Sequence, residues 1–145
     1  RLMGLSGTSF ETGNQLKIVT QLARHKTDRQ RQTVVLQNGK HAVTRVRVIK
    51  ELAGGAAAFV ECKLETGRTH QIRVHMSYAG HALIGDQIYS RRRKLSGPHS
   101  DVAKEFSRQA LHAASLGFRH PISGRDMYFK VPVPVDMLDL MSGMD

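Results

Sequence analysis

Between Leu16 and Leu64 apolar and polar residues repeatedly alternate, and short turn signals cut the stretch into pieces. A period of two puts every second side chain on the same face, so this stretch reads as strands with one buried face. Leu16–Leu22 alternates loosely, and Thr33–Leu36 is β-branched. Val43–Ile49 sets Arg45 and Arg47 between valines, which predicts a strand with its arginines outward. Ala57–Leu64 puts Phe59 and Glu61 on one face, with Val60 and Cys62 on the other. Arg24–Arg31 reads as a basic loop, Asn38-Gly39 as a hairpin turn and Gly54-Gly55 as a further turn. The whole run predicts an antiparallel meander.

The remainder adds few helices. Thr69–Ala79 reads as a helix, with Thr69 a candidate N-cap and Gly80 a stop. His81–Tyr89 is a compact loop around Ala82-Leu83-Ile84, and Arg91–Ser100 is a polar surface loop. Ser107–Phe118 fits either a helix or a long bent strand. Met127–Val133 reads as a strand, followed by a short helix over Asp136–Met141 capped by Asp136. The expected class is α+β, a mostly antiparallel mixed sheet with few helices. The 145 residues suit one domain over 1–145, with the polar stretch 1–14 as a flexible lead-in. The chain opens at Arg1 rather than at a methionine, which points to a processed, trimmed or excised product.

Charge narrows the function classes. The net charge is +10, and the excess sits upstream, with ten Lys/Arg against two Asp/Glu over 1–50 and five against six over 101–145. Such asymmetry favours a polyanionic partner. No window holds the roughly 18 unbroken apolar residues of a membrane span, so no membrane role is expected. Cys62 is the only cysteine, which excludes an intrachain disulfide and favours a reducing cytosol.

The densest chemistry lies in Glu65-Thr66-Gly67-Arg68-Thr69-His70-Gln71-Ile72-Arg73-Val74-His75. At helical spacing Ile72, Met76 and Ala79 share one side and Val74 and Tyr78 another, with His70, Arg73 and Ser77 on a polar strip between. A helix apolar on two sides is largely buried. Arg73 then sits in a partly buried slot and needs an anionic partner, either a core carboxylate or a phosphate in a groove. Arg68, in the turn before the helix, is either a phosphate contact at the helix start or a solvated arginine.

The same residues, continued by Gly80-His81-Ala82-Leu83-Ile84-Gly85-Asp86-Gln87-Ile88-Tyr89, resemble the signature of RluA-type pseudouridine synthases, L-E-T-G-R-T-H-Q-I-R-V-H-L and G-H-P-L-V-G-D-x-x-Y. Ala23–Arg29 resembles that family's G-R-H-P-x-D-R segment. Gln109–Ala113 with Leu116–Pro121 resembles its R-Q-A-L-H-A-x-x-L-x-F-x-H-P stretch, and Phe129–Pro134 its closing strand. The match runs in order from about Ile18 to Leu140. Ala82 stands where the family usually has proline.

The resemblance implies an enzyme that isomerises uridine to pseudouridine in structured RNA, ribosomal RNA first. It implies that Arg73 supports a nucleophilic aspartate. Leu116, or Leu111, would contact the target base, and Arg24, Lys26, Arg29, Arg31 and Arg68 would bind RNA. Uracil is detached from ribose, turned and rejoined through C5, so no cofactor and no metal is implied. The base must leave its stack to be reached. The family's nucleophile lies in an upstream H-R-L-D motif, with a tyrosine further on in a K-x-Y segment. Asp28, Asp86, Asp101, Asp126, Asp136 and Asp139 all lack a preceding Arg-Leu. The expectation is therefore the C-terminal part of a catalytic domain, inactive alone, whose partners are RNA and its own upstream part. A non-catalytic RNA-binding module is the competing reading. His70 and His75 stand five apart, off the i,i+4 spacing of helical metal ligands. Arg91-Arg92-Arg93-Lys94 is either a solvated loop or a further RNA contact.

Overall fold

The computed structural model describes residues 12–90 and 98–145. Strands β1 (Gln15–Arg24), β2 (Gln32–Val35), β3 (Lys40–Leu52) and β4 (Ala57–Leu64) form one antiparallel sheet in the order β2-β1-β3-β4. Helix α1 (Gln71–Tyr78) follows, then α2 (Ser100–Glu105), a separate hairpin of β5 (Ser115–Arg119) and β6 (Asp126–Lys130), and α3 (Val135–Ser142). The class is α+β with antiparallel sheets and few helices. The expected lead-in and the Arg91–Lys94 tract lie mostly or wholly outside the described residues. Of the lead-in, Gly13 N–H donates to the Val48 carbonyl and Asn14 accepts from Val48 N–H.

The strands form where alternation placed them, but the meander is corrected. β2 and β3 lie on opposite sides of β1 and do not pair with each other. Asn38-Gly39 therefore closes no hairpin. The chain crosses β1 there, with Asn38 at φ 61° and Gly39 N–H donating to the Gln21 side-chain oxygen at 2.9 Å. A Cβ on Gly39 would meet Val35 Cγ2 at 2.6 Å and Gln21 Cβ at 2.8 Å, so only glycine fits the crossing.

Register changes at one point. The β3–β4 pairing shifts between Val48 and Lys50. A bulge re-aims side chains, and Val60 and Phe59 both reach core clusters although they are neighbours, while Glu61 pairs outward with Arg47.

Three apolar clusters hold the elements together. Leu22 and Ala42 meet Val74 and Tyr89. Ile18 and Val46 meet Met76, flanked by Ile72, Ala79 and Cys62. Leu52 meets Leu140 and Met144, so α3 closes the far end of the sheet. Burial, then the charge of Glu61, pushes the Cys62 thiol to about 11, so it stays a neutral apolar filler.

Several boundaries differ from expectation. α1 starts at Gln71, with left-handed His70 (φ 55°) as its first flanking residue, so Thr69 is not the cap. Tyr78, expected on a buried side, is 48% exposed. Residues 107–114 form no regular element before β5, which settles the ambiguous segment as loop then short strand. Asp136 does not cap α3; Pro134 occupies that position, and Asp136 takes both ends of a forked ion pair from Arg108.

Arg108 belongs to the loop that runs against 81–90. Ala110 N–H donates to the Ile84 carbonyl at 2.8 Å. Gly85 (φ +72°) is where the two loops touch, and a Cβ there would fall 1.9 Å from the Arg108 carbonyl oxygen. Gly85→Ala is expected to cost about 2–3 kcal/mol of stability from overpacking and left-handed strain. A thermal melt at the wild-type temperature would show that the loops part freely.

Candidate active-site arginine and its surroundings

Of the polar strip foreseen on the helix, Arg73 and Ser77 lie on α1 and His70 immediately before it, and all three face one loop. Arg73 donates from Nε to Asp86 Oδ2 at 2.8 Å and from Nη2 to Asp86 Oδ1 at 2.9 Å. Ser77 Oγ donates to the Tyr89 carbonyl, and His70 Nδ1 lies 2.9 Å from the Tyr89 hydroxyl. Of the two partners left open for Arg73 by the sequence, a core carboxylate is present, supplied by the chain itself.

Asp86 is fully buried, and its Oδ1 also accepts from Ile88 and Tyr89 N–H at 3.0 Å each. Burial alone pushes its carboxyl up; the Arg73 guanidinium and the two backbone N–H groups outweigh that and hold it below the ordinary range. The same fork raises Arg73 above its usual value against the opposing effect of burial. Asp86 thus caps its loop, as Asp28 caps the β1–β2 loop by accepting from Gln30 N–H. An aspartate enclosed on both oxygens cannot reach a ribose, so Asp86 is a poor nucleophile.

Tyr89 is the hub of the site. Its hydroxyl accepts from Gln32 N–H at 2.9 Å and can donate to His70 Nδ1, which fits a neutral imidazole. Burial, then the nearby Arg73 charge, lowers the His70 pKa. The Arg73 Cζ lies 5.0 Å from the Tyr89 ring centroid and the Arg31 Cζ 5.6 Å, both within cation–π range.

Beneath the strip a second polar network fixes α1 on the sheet. His75 is fully buried between Thr20 Oγ1 and Thr44 Oγ1, each at 2.8 Å. Gln71 donates to the Val43 carbonyl and to Thr44 Oγ1, while its oxygen accepts from Thr66 Oγ1 and Arg68 N–H. That amide occupies the turn where a phosphate was considered. Burial pushes His75 down to about 4. Its folded value is below the unfolded one of about 6.5, so its contribution is full above 6.5 and is lost as pH falls toward 4, by about 3 kcal/mol in total. Urea unfolding at pH 7 and pH 4.5 should show this loss, and His75→Gln should shrink it; an unchanged slope in the variant would assign the loss elsewhere.

The other foreseen residues are distributed unequally. Arg24, at the end of β1, and Lys26 and Arg29, on the β1–β2 loop, are exposed, and of these basic residues only the neighbouring Arg31 reaches Tyr89. Arg68 is exposed and donates from Nε to the His41 carbonyl at 3.1 Å. Leu111 is half-buried, next to the Ala110–Ile84 bond, whereas Leu116 is 60% exposed on β5. Sequence reasoning asked for an anionic partner for Arg73 without naming Asp86; the signal available was its place, with Tyr89, in the Gly-Asp-x-x-Tyr segment. Among the described residues no three His, Cys, Asp or Glu side chains gather as a metal site, and no helix is long and apolar enough to cross a membrane.

Comparisons with known proteins agree on the class. The RNA pseudouridylate synthase family model matches residues 10–78. Ribosomal large subunit pseudouridine synthase D of Zymomonas mobilis is 50% identical over 119 residues, covering 80% of this chain and 36% of that protein. The protein of the same name from Neisseria meningitidis serogroup A is 46% identical over 131 residues, covering 87% and 34%. Human RNA pseudouridylate synthase domain containing 1 superposes with a TM-score of 0.68 at 25% identity, over 97% of this chain and 55% of that one. Human RNA pseudouridylate synthase domain containing 4 shares the fold, with a TM-score of 0.64 at 22% identity, over 89% and 56%. Fold and sequence together define a portion of a pseudouridylate synthase scaffold. The chain belongs to the RluA-type RNA pseudouridine synthase family. It spans about a third of the length of these curated relatives.

Proposed function

We propose that the protein is an RNA pseudouridine synthase acting on structured RNA, ribosomal RNA first, and that this chain is the C-terminal part of its catalytic domain. The observation that carries the reading is Arg73, in the family's own motif, held rigid beside the Asp86–Tyr89 loop. Its side-on fork to Asp86 uses Nε and Nη2, and Nη1 makes no hydrogen bond among the described residues. That edge is what Arg73 offers to a nucleophilic aspartate from the upstream part.

In the reaction the N1–C1′ bond breaks, a C5–C1′ bond forms, N1 gains a proton and the C5 hydrogen leaves to water. The aspartate must be ionised to begin, and a guanidinium beside it lowers its pKa and fixes its direction. Leu111 and Leu116 are the two apolar side chains offered to the base. Arg24, Lys26, Arg29, Arg31 and Arg68 supply the cationic approach for RNA. The cytoplasm, where such RNA is made, is the matching compartment.

The buried, fully hydrogen-bonded Asp86 favours RNA binding without turnover for this chain alone. Tritium release from RNA labelled at uracil C5 tests both statements. The chain alone should release nothing, and the protein that includes the upstream part should release tritium. Release by the chain alone would put the nucleophile among its own aspartates, and no release by the longer protein would end the proposal.

A further inference from the structure

Arg31 is the second guanidinium at the Arg73 site, and the two differ in one respect. Arg73 is neutralised by Asp86, whereas no carboxylate among the described residues pairs with Arg31. Its Nε is buried and has no hydrogen-bond partner among the described residues. A buried charged donor without an acceptor is costly, and it persists most readily where an acceptor arrives with a ligand.

The position is also fixed. Arg31 N–H donates to the Asp28 carbonyl at 3.0 Å and its own carbonyl accepts from His25 N–H at 2.9 Å, so the loop is closed on both sides of its Cα. The Tyr89 ring supports the guanidinium, and the adjoining Gln32 N–H donates to the hydroxyl of that ring. Lys26 and Arg29 share the loop but are exposed, as is Arg24 at the end of β1. A solvated cation attracts any phosphate; a held guanidinium selects the position of one.

We infer that Arg31 grips the phosphate of the nucleotide being modified, and so sets the target uridine in register beside Arg73. This rests on the reading of the site as one that acts on RNA uridine. A guanidinium fork matches two phosphate oxygens, and of the two guanidinium groups against the Tyr89 ring Arg31 is the one that pairs with no carboxylate among the described residues.

The test compares binding of uridine 5′-monophosphate and of uridine to the intact protein, upstream part included, by calorimetry. The monophosphate should bind about tenfold tighter, as expected for one charge-assisted fork. Arg31→Gln should bring the two within about twofold, and Arg31→Lys should keep part of the preference, since a point charge replaces a fork. If Arg31→Gln fails to fold, Arg31→Lys alone decides, and an undiminished preference in it overturns the inference. A preference that survives Arg31→Gln, with or without a lower melting temperature, also overturns it; a lowered melting temperature then marks the contact of Arg31 with the Tyr89 ring as structural. Tritium release from C5-labelled RNA separates this from the function itself. Turnover without any preference for the monophosphate removes only the role of Arg31, and a preference without turnover removes only the enzymatic reading.

Discussion

Asp86→Asn is expected to destabilise the protein by about 3–5 kcal/mol, the range for breaking a buried ion pair from one side. Asp86 has no exposed side-chain surface and Arg73 has 11%. Asparagine keeps the shape but loses the charge, and its amide nitrogen replaces one of two oxygens that both accept from Arg73. The guanidinium is then left in a slot it cannot leave without disturbing Tyr89. Removing both charges, with Arg73→Met and Asp86→Leu together, should cost less than Asp86→Asn alone, because no buried charge remains. Urea unfolding of the single and double variants measures this. A loss under about 1 kcal/mol for Asp86→Asn would mean that water reaches the pair and screens it as it does surface pairs. The pH dependence has a definite sign. Asp86 is depressed below its ordinary value, so its contribution is present above about pH 4 and is lost as pH falls through the lower, folded value.

Arg73→Lys in the intact protein should lower turnover by about 10²–10³-fold, the usual effect of losing one aligned donor at a reacting centre. RNA affinity should change by less than about twofold. The unequal effect follows from placement: Arg73 is nearly buried and already neutralised, so it adds little to the field that attracts RNA. Lysine is preferred to alanine because it leaves Asp86 a cation, while the planar fork is lost. Single-turnover rates and filter binding on the same RNA give the two numbers. Equal losses in rate and affinity would make Arg73 a phosphate contact or a folding residue.

The alternation of Leu16–Leu64 was enough to place all four strands of the main sheet, because a period of two is written locally. The helix at 71–78 and the polar strip of His70, Arg73 and Ser77 were legible for the same reason. The order of the strands was not. Asn38-Gly39 suits a hairpin, and nothing local distinguishes a turn that returns beside its strand from one that crosses β1. The cap of α1 was misplaced because Gln71 reaches back to Thr66 and Arg68, a contact that depends on the conformation of the turn.

The site divides along the same line. Residue types and spacing determined the family, the need of Arg73 for an anionic partner, the basic loop at 24–31, and the lack of an Arg-Leu-Asp nucleophile. Only the tertiary structure decided that Asp86 is the partner, that Tyr89 gathers Arg31, Arg73 and His70, and that His75 is sealed between two threonines. Periodicity reports which face of an element a residue occupies. Which distant side chain waits opposite that face depends on how the loops at 25–31 and 81–90 pack across the sheet, and that packing is a property of the whole chain.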